Sequence, residues 1–219
     1  PAGAFDLCVL SPGIAQDSPW VRDVESRGVE VVSELELGFR RCSCPIVAVT
    51  GTNGKSTLVK LLHDALTTAG LRSAIGGNYG IPLSEIAPES DALDWIVVEV
   101  SSFQLERVST FRPKVGVFLN LQPDHLDRHG DMEAYRELKS RLFQCMRADD
   151  VGIVYEPELG PVKALTHGEN RWVTFGGAAE ADYRYIPSQG IRFCDNAGAE
   201  TTLNIAGTAF DNPVLGLAA

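Results

Sequence analysis

Pro45-Ile46-Val47-Ala48-Val49-Thr50 runs directly into Gly51-Thr52-Asn53-Gly54-Lys55-Ser56-Thr57. A short, uninterrupted apolar run reads as a strand buried on both faces, and its break into a glycine turn reads as the entry to a helix. Gly51 and Gly54 permit a tight turn and close backbone approach, so that successive N–H groups and the helix N-terminus can face a polyphosphate. Lys55 brings a mobile point charge for the outer phosphates, and Ser56 or Thr57 can set a hydroxyl on Mg2+. The spacing is GxxGK[ST], with Val49 where the usual phosphate loop has its first glycine. A strand-turn-helix with two glycines also occurs without a ligand, and Lys55 would then be an ordinary solvated lysine. The Gly-Lys-Ser-Thr tetrad behind an apolar strand makes an ATP-using enzyme the first hypothesis.

Upstream, residues 7–10 read as a buried strand ending at Ser11-Pro12-Gly13-Ile14. Ser18 and Pro19 open a helix to Arg27, and residues 29–32 form a second strand, together a βαβ fragment. Ser33 with Glu36 three residues later is a capping-box pattern, predicting a connecting helix over 33–41 and a boundary near 41–45. Downstream, the helix over 56–69 carries Leu58, Leu61, Leu62 and Leu66 and ends at Gly70. Strands follow over 73–75, 94–100 and 115–119, then a helix over 132–146 with Asp131 as its N-cap, then a strand over 151–155. This alternation predicts a mostly parallel sheet with helices on both faces, an α/β fold. Past Arg171, short strands over 172–175, 183–186, 191–193 and 201–205 between glycine and polar turns predict a small antiparallel appendage.

The chain of 219 residues can bury a real core, and its net charge of -10 with no Lys/Arg run argues against nucleic acid or an anionic membrane as the main partner. Five cysteines, with Cys42-Ser-Cys44 their only cluster, lack the paired spacing of a zinc site and read as a reduced, cytoplasmic protein. No apolar run approaches a membrane span, so a soluble protein is expected. Pro1 at the start and an apparent helix at Leu217-Ala218-Ala219 make both ends read as cut.

In an open parallel sheet, ligands gather outside the carboxyl ends of the strands. Four such ends are polar: Gly51 to Thr57, Asn78, Glu99 with Ser101-Ser102-Phe103-Gln104, and Asn120 to His129. Glu99 could hold Mg2+ together with Ser56, or be only the first solvated residue beyond a strand. Asp124 to His129 holds acids and imidazoles suited to metal or phosphate, or is a polar loop with two surface histidines. Lys139, by residue chemistry alone, is a solvated helix lysine.

Taken together, the Ser11-Pro12-Gly13-Ile14 loop, the 51–57 loop, Gly76-Gly77-Asn78, the Glu99 to Glu106 run and Asn120 with Asp124-His125-Leu126-Asp127-Arg128-His129 closely resemble the Mur ligases. Ser-Ser-Phe-Gln-Leu after the glutamate resembles the branch of that family that adds D-glutamate to UDP-N-acetylmuramoyl-L-alanine. The resemblance implies a monomeric, cytoplasmic, ATP-dependent amide ligase of peptidoglycan precursor synthesis acting through an acyl phosphate, with two Mg2+ ions. It implies catalytic roles for Lys55, His125 and Lys139, with Gly51, Thr52, Asn53, Gly54, Lys55, Ser56 and Thr57 holding ATP. Ser56 and Glu99 would hold one Mg2+, His125 and a CO2-carbamylated Lys139 would attend the second, and Gly13, Asn78 and Ser101 would lie near the UDP-sugar substrate. Asn212 matches a nucleotide-contacting asparagine, although Asp211 and Leu215 depart from that motif's histidine and second asparagine. Residues 1–43 would be the last part of a UDP-substrate domain and 44–219 the central ATP-binding domain, without the carboxy-terminal ligase domain and with little or no activity alone. Another P-loop ATPase or kinase, or a nucleotide-binding remnant, is the competing expectation.

Overall fold

The computed structural model describes residues 5–187, 189–194 and 199–204. Its chain opens with a parallel unit of β1 (Leu7–Leu10), α1 (Pro19–Ser26) and β2 (Glu30–Ser33), in which Leu7 faces Glu30 and Leu10 faces Ser33. Pro19 sits in the first turn of α1, where its missing N–H has no helical partner to lose. Then α2 (Glu34–Phe39) begins on Ser33, whose hydroxyl accepts the Glu36 N–H at 3.2 Å.

Only this half of the expected capping box forms. The Glu36 carboxylate, fully buried, turns away to accept the backbone N–H groups of Ser109, Thr110 and Phe111, the Thr110 and Ser109 hydroxyls, and Arg40 Nε at 2.9 Å. Burial alone would raise its pKa, but the hydrogen bonds from Thr110, Ser109 and Arg40 outweigh that and hold it below the ordinary carboxylate range. One carboxylate therefore ties the opening unit to the loop that precedes a central strand.

The main sheet contains β3 (Ile46–Thr50), β4 (Ser73–Gly77), β5 (Trp95–Glu99), β6 (Val115–Phe118), β7 (Val151–Tyr155), β8 (Arg171–Gly176), β9 (Tyr183–Ile186), β10 (Gly190–Cys194) and β11 (Glu200–Leu203), ordered β11-β10-β9-β8-β7-β6-β3-β5-β4. Every pairing from β4 across to β9 is parallel, and β9-β10-β11 is antiparallel. The antiparallel strands thus continue the main sheet instead of forming a separate layer, and β8, expected among them, pairs parallel to β7. A crossover through α8 (Leu159–Leu165), a helix absent from the sequence-based expectation, makes that parallel return possible.

β3 is buried along its whole length. Ile46 and Ala48 face a core with Leu35, Leu83, Ile96, Val98, Phe118 and Phe143, while Val47 and Val49 face Leu58 and Val59 of α3 (Lys55–Thr68), with Leu62 and Leu66 at its edge. Shorter helices α4 (Leu83–Ile86), α5 (Ser102–Leu105) and α6 (Leu126–His129) occupy the loops, and α7 (Met132–Ser140) ends sooner than expected, passing into a 3-10 turn at Arg141–Phe143. Among the described residues no helix is long and apolar enough to cross a membrane. Because the chain leaves β3 toward β4 and β5 on one side and returns to β6 on the other, the carboxyl ends of these strands part into a crevice.

Replacing Glu36 by Ala should lower the unfolding free energy by about 3–5 kcal/mol in urea denaturation, since it strands several buried N–H groups and Arg40. Its depressed pKa means that this stabilisation is present above the unfolded-state pKa and lost as pH falls through the folded one, so Glu36→Gln should flatten the acid limb of stability. A loss below about 1 kcal/mol for the alanine variant would contradict the role given to this carboxylate.

Candidate active site

At the end of β3 the backbone turns at Gly51 with φ of 148° and at Gly54 with φ of 84°. A Cβ on Gly51 would lie 3.0 Å from Leu119 Cβ and 3.3 Å from the Asn120 nitrogen, so the loop presses against the strand end opposite. Gly54 is the N-cap of α3 and offers no side chain to the first helical turn. The first-turn N–H groups of α3 therefore have no side-chain cap, and with the positive end of the helix dipole they suit an anion.

The loop is held rigid from β6. Asn120 Oδ1 accepts the N–H groups of Thr52 at 3.1 Å and Asn53 at 2.9 Å, and its Nδ2 donates to the Asn53 carbonyl at 3.0 Å. The Gln122 N–H donates to Thr52 Oγ1 at 3.0 Å, and Asn53 Nδ2 donates to Gln122 Oε1 at 2.9 Å. Sequence reasoning placed Asn120 among the polar strand ends but gave it no task. Its position directly after a buried strand beside β3, as Glu99 lies on the other side, was the available signal.

Two ammonium groups converge on this loop. Lys55 Nζ donates to the carbonyls of Gly51 at 3.1 Å and Thr52 at 2.8 Å, while Lys139 Nζ reaches the same Gly51 carbonyl at 2.8 Å from α7. Lys139 is 1% exposed and lies 4.5 Å from the Tyr135 ring centroid, which corrects its reading as a solvated helix lysine. The spacing of α7 explains the error: its inward stripe is Tyr135 and Lys139, one turn apart, and only the tertiary fold shows that this stripe meets the phosphate loop. Burial pushes the Lys139 pKa down to about 7, Lys55 adds to the depression, and Asp124 opposes it. Burial also lowers Lys55, against the pull of Glu99 and Asp124.

Across the crevice, Glu99 is 3% exposed at the end of β5. Its carboxylate accepts Ser56 Oγ at 2.6 Å and Asn78 Nδ2 at 2.7 Å, and it has no ion pair among the described residues. A buried carboxylate joined to a hydroxyl and lacking a cationic partner is a donor set that fits a hard divalent cation such as Mg2+. No group of three or more His, Cys, Asp or Glu among the described residues could hold a metal by itself. Mg2+ typically takes one or two carboxylates and completes its shell with water and substrate phosphates, which agrees with Ser56 and Glu99 as partial ligands.

The remaining expected residues are unevenly placed. His125 is half exposed beside Asp124 at 3.4 Å and N-caps α6 in a left-handed conformation, φ 52°. His129 is not a surface histidine: its side chain is 1% exposed, stacks 5.1 Å from Phe103 and 5.2 Å from Tyr135, and is hydrogen-bonded through Nε2 to Ser102 Oγ at 3.0 Å. Burial lowers its pKa, against the pull of Glu106. The Ser101 hydroxyl is engaged in a capping box with Gln104 at the start of α5. Gly13 lies in the loop after β1, where an added Cβ would meet nothing within 4 Å. Asn212, with the altered motif around it, lies outside the described residues.

The Mur ligase middle domain family matches residues 49–210. The UDP-N-acetylmuramoylalanine--D-glutamate ligase of Desulfotalea psychrophila is 40% identical over 209 residues, covering 94% of this chain and 45% of the relative. That of Syntrophotalea carbinolica is 44% identical over 181 residues, covering 83% of this chain and 40% of the relative. The chain therefore spans less than half the length of these curated relatives. Among solved structures, MurF ligase from Thermotoga maritima in complex with ADP aligns with a TM-score of 0.59 at 18% identity, covering 97% of this chain and 57% of that one. E. coli FolC in complex with DHPP and ADP aligns with a TM-score of 0.59 at 17% identity, covering 94% and 62%. With a family match over most of its length and a phosphate loop, acidic strand end and lysine pair assembled in one crevice, the chain belongs to the Mur ligase family.

Proposed function

We propose that this chain forms the ATP-binding core of an ADP-forming ligase that joins D-glutamate to UDP-N-acetylmuramoyl-L-alanine through an acyl phosphate. The observation that carries the reading is the convergence of Lys55 and Lys139 on the Gly51 carbonyl, facing the Ser56–Glu99 pair. Relatives bearing that ligase name at 40–44% identity support the substrate pair, and the ADP held by the MurF and FolC neighbours supports the nucleotide.

The reaction must bring a carboxylate against a polyphosphate, two anions. Lys55 offsets that repulsion at the outer phosphates, while the N–H groups at the α3 N-terminus, left over after Asn120 has taken those of Thr52 and Asn53, hold the chain of phosphates in line. A carboxylate oxygen of the muramoyl-alanine attacks the γ-phosphorus and the bond to the β–γ bridging oxygen breaks, releasing ADP. The amine of D-glutamate then attacks the acyl carbon, and phosphate leaves from the tetrahedral intermediate. Mg2+, when bound at Ser56 and Glu99, with a second ion near His125, would neutralise charge developing on the transferred phosphoryl group. We also propose that Lys139 is carbamylated: with its pKa near 7 a substantial fraction of the amine is neutral and can add CO2, releasing a proton and replacing a cation by an anion. Gly13, Asn78 and Ser101 are assigned to the side of the crevice that receives the UDP-linked substrate, and Asn212 to the nucleotide. In this reading residues 1–43 belong to the substrate-binding part, 44–219 to the ATP-binding domain, and recognition of D-glutamate lies outside this chain. We place the protein in the cytoplasm as a monomer, in accord with its free cysteines.

In isothermal titration, Lys55→Ala should weaken MgATP binding by about 10–100-fold, the equivalent of one charge-assisted hydrogen bond. Unchanged affinity would sink the phosphate assignment. D-glutamate-dependent phosphate release should be present in a protein of the relatives' full length and absent from these residues alone; normal turnover here would refute the division of labour. Because the folded-state pKa of Lys139 lies below its unfolded value, the unfolded chain binds more protons between about pH 7 and 10, and stability should rise with pH there by up to about 1.4 kcal/mol per unit. Lys139→Met measured in CO2-free buffer should lose that slope and be more stable at pH 7; a slope equal to that of the parent would contradict burial of a titrating amine at this position.

A further inference from the structure

The loop Ser11-Pro12-Gly13-Ile14 and the turn that carries His125 are far apart in sequence, yet one side chain holds both. Arg128 Nη2 donates to the Ile14 carbonyl at 3.0 Å and to Glu106 Oε2 at 2.9 Å, and the guanidinium carbon lies 4.9 Å from the Phe103 ring centroid. Its backbone N–H donates to the His125 carbonyl at 3.0 Å, closing the single turn of α6. A one-turn helix has almost no stability of its own. Moreover, His125 is the only described residue other than glycine with a positive φ, a conformation that its surroundings must impose. Side chains anchor the turn on both sides: the His125 ring lies 5.0 Å from Phe103, Arg128 sits on Phe103 and Glu106, and His129 lies between Phe103 and Tyr135.

The opening loop has a second attachment. Arg107 Nη2 donates to the Gln16 carbonyl at 3.4 Å and its guanidinium pairs with Glu25 on α1. Arg107, however, follows α5 and does not belong to the His125 turn. Among the described residues two arginines reach carbonyls of residues 11–18, and Arg128 alone is built into the turn expected to face the second metal.

We propose that Arg128 is a positioning residue that locks the Ser11-Pro12-Gly13-Ile14 loop to the His125 turn, so that seating of a UDP-linked carboxylate substrate and placement of His125 change together. The substrate half of this statement rests on the function proposed above, and the lock itself rests on the geometry alone. A neutral side chain at 128 would leave Glu106 with only His129 Nδ1, 4.0 Å away, and release the Ile14 carbonyl and the α6 turn at once. A lysine would keep the charge but lose the planar face against Phe103 and the fixed fork of donors.

Hydrogen–deuterium exchange on this chain tests the lock. Arg128→Ala should speed exchange both at residues 11–18 and at residues 125–130, whereas Arg107→Ala should speed it at 11–18 only. Acceleration of one segment without the other in Arg128→Ala would overturn the proposal. If that variant does not fold, Arg128→Lys should show the same paired response at smaller amplitude, and an unpaired response there would overturn it equally. In a protein of the relatives' full length, Arg128→Ala should raise KM for UDP-N-acetylmuramoyl-L-alanine and lower kcat, each about tenfold, with KM for ATP within about twofold, a split that general destabilisation does not produce. Unchanged KM for the UDP-linked substrate would remove the functional role. If the unaltered full-length protein shows no D-glutamate-dependent turnover, the ligase reading fails, while the exchange experiment still decides the lock.

Discussion

The carbonyl oxygen of Gly51 accepts from two lysine side chains, Lys55 at 3.1 Å and Lys139 at 2.8 Å. Two ammonium groups sharing one acceptor repel each other, and both are largely withdrawn from water, so the pair is tolerable only where protons can be shed or an anion can enter. Burial lowers the pKa of both lysines, and at Lys139 the neighbouring Lys55 adds to the depression. Much of the surrounding structure serves to keep the carbonyl in place: the left-handed turn at Gly54, the Asn120 clamp on Thr52 and Asn53, and the packing of Leu119 against Gly51.

That arrangement depends on the sheet. β3 lies between β5 and β6, buried on both faces, so the loop at its carboxyl end is flanked by Glu99 on one side and Asn120 on the other. Burial of Ile46, Ala48, Val47 and Val49 thereby fixes the distance between a carboxylate and a clamp that are far apart in sequence. The opening βαβ unit is fastened to the same body by buried Glu36 and by Arg107 and Arg128, the last of which holds the loop after β1 against α6.

Local patterns made the glycine turn between β3 and α3, the polar strand ends and the α/β alternation legible, because glycine placement and apolar period act within a few residues. Lys139 was not legible by its chemistry, since nothing in Tyr135-Arg136-Glu137-Leu138-Lys139 says that its inward stripe will carry a cation. Only the resemblance to the Mur ligases singled it out. Glu36 misled in the opposite sense: the capping-box pattern is local, but backbone donors at residues 109–111, far along the chain, outcompete the helix end for its carboxylate. The parallel placement of β8 also escaped, because a short apolar strand carries no mark of its partner's direction, and the helix α8 that permits the crossover has a weak apolar stripe around Val162. His129 looked like a surface histidine since its burial comes from Phe103 and Tyr135, aromatic rings contributed by other elements.

The central claim is that polyphosphate binds at the Gly51 to Thr57 loop and relieves the crowding of Lys55 and Lys139. Amide and lysine-ammonium NMR in CO2-free buffer, where Lys139 keeps its unmodified amine, during titration of the chain with Mg2+ and a non-hydrolysable ATP analogue tests this directly. The largest amide shifts should fall at residues 51–57 and at Glu99, with the Lys139 pKa rising from about 7 as the anion enters. Shifts centred elsewhere, or a Lys139 pKa that stays where it began in the saturated complex, would contradict the claim.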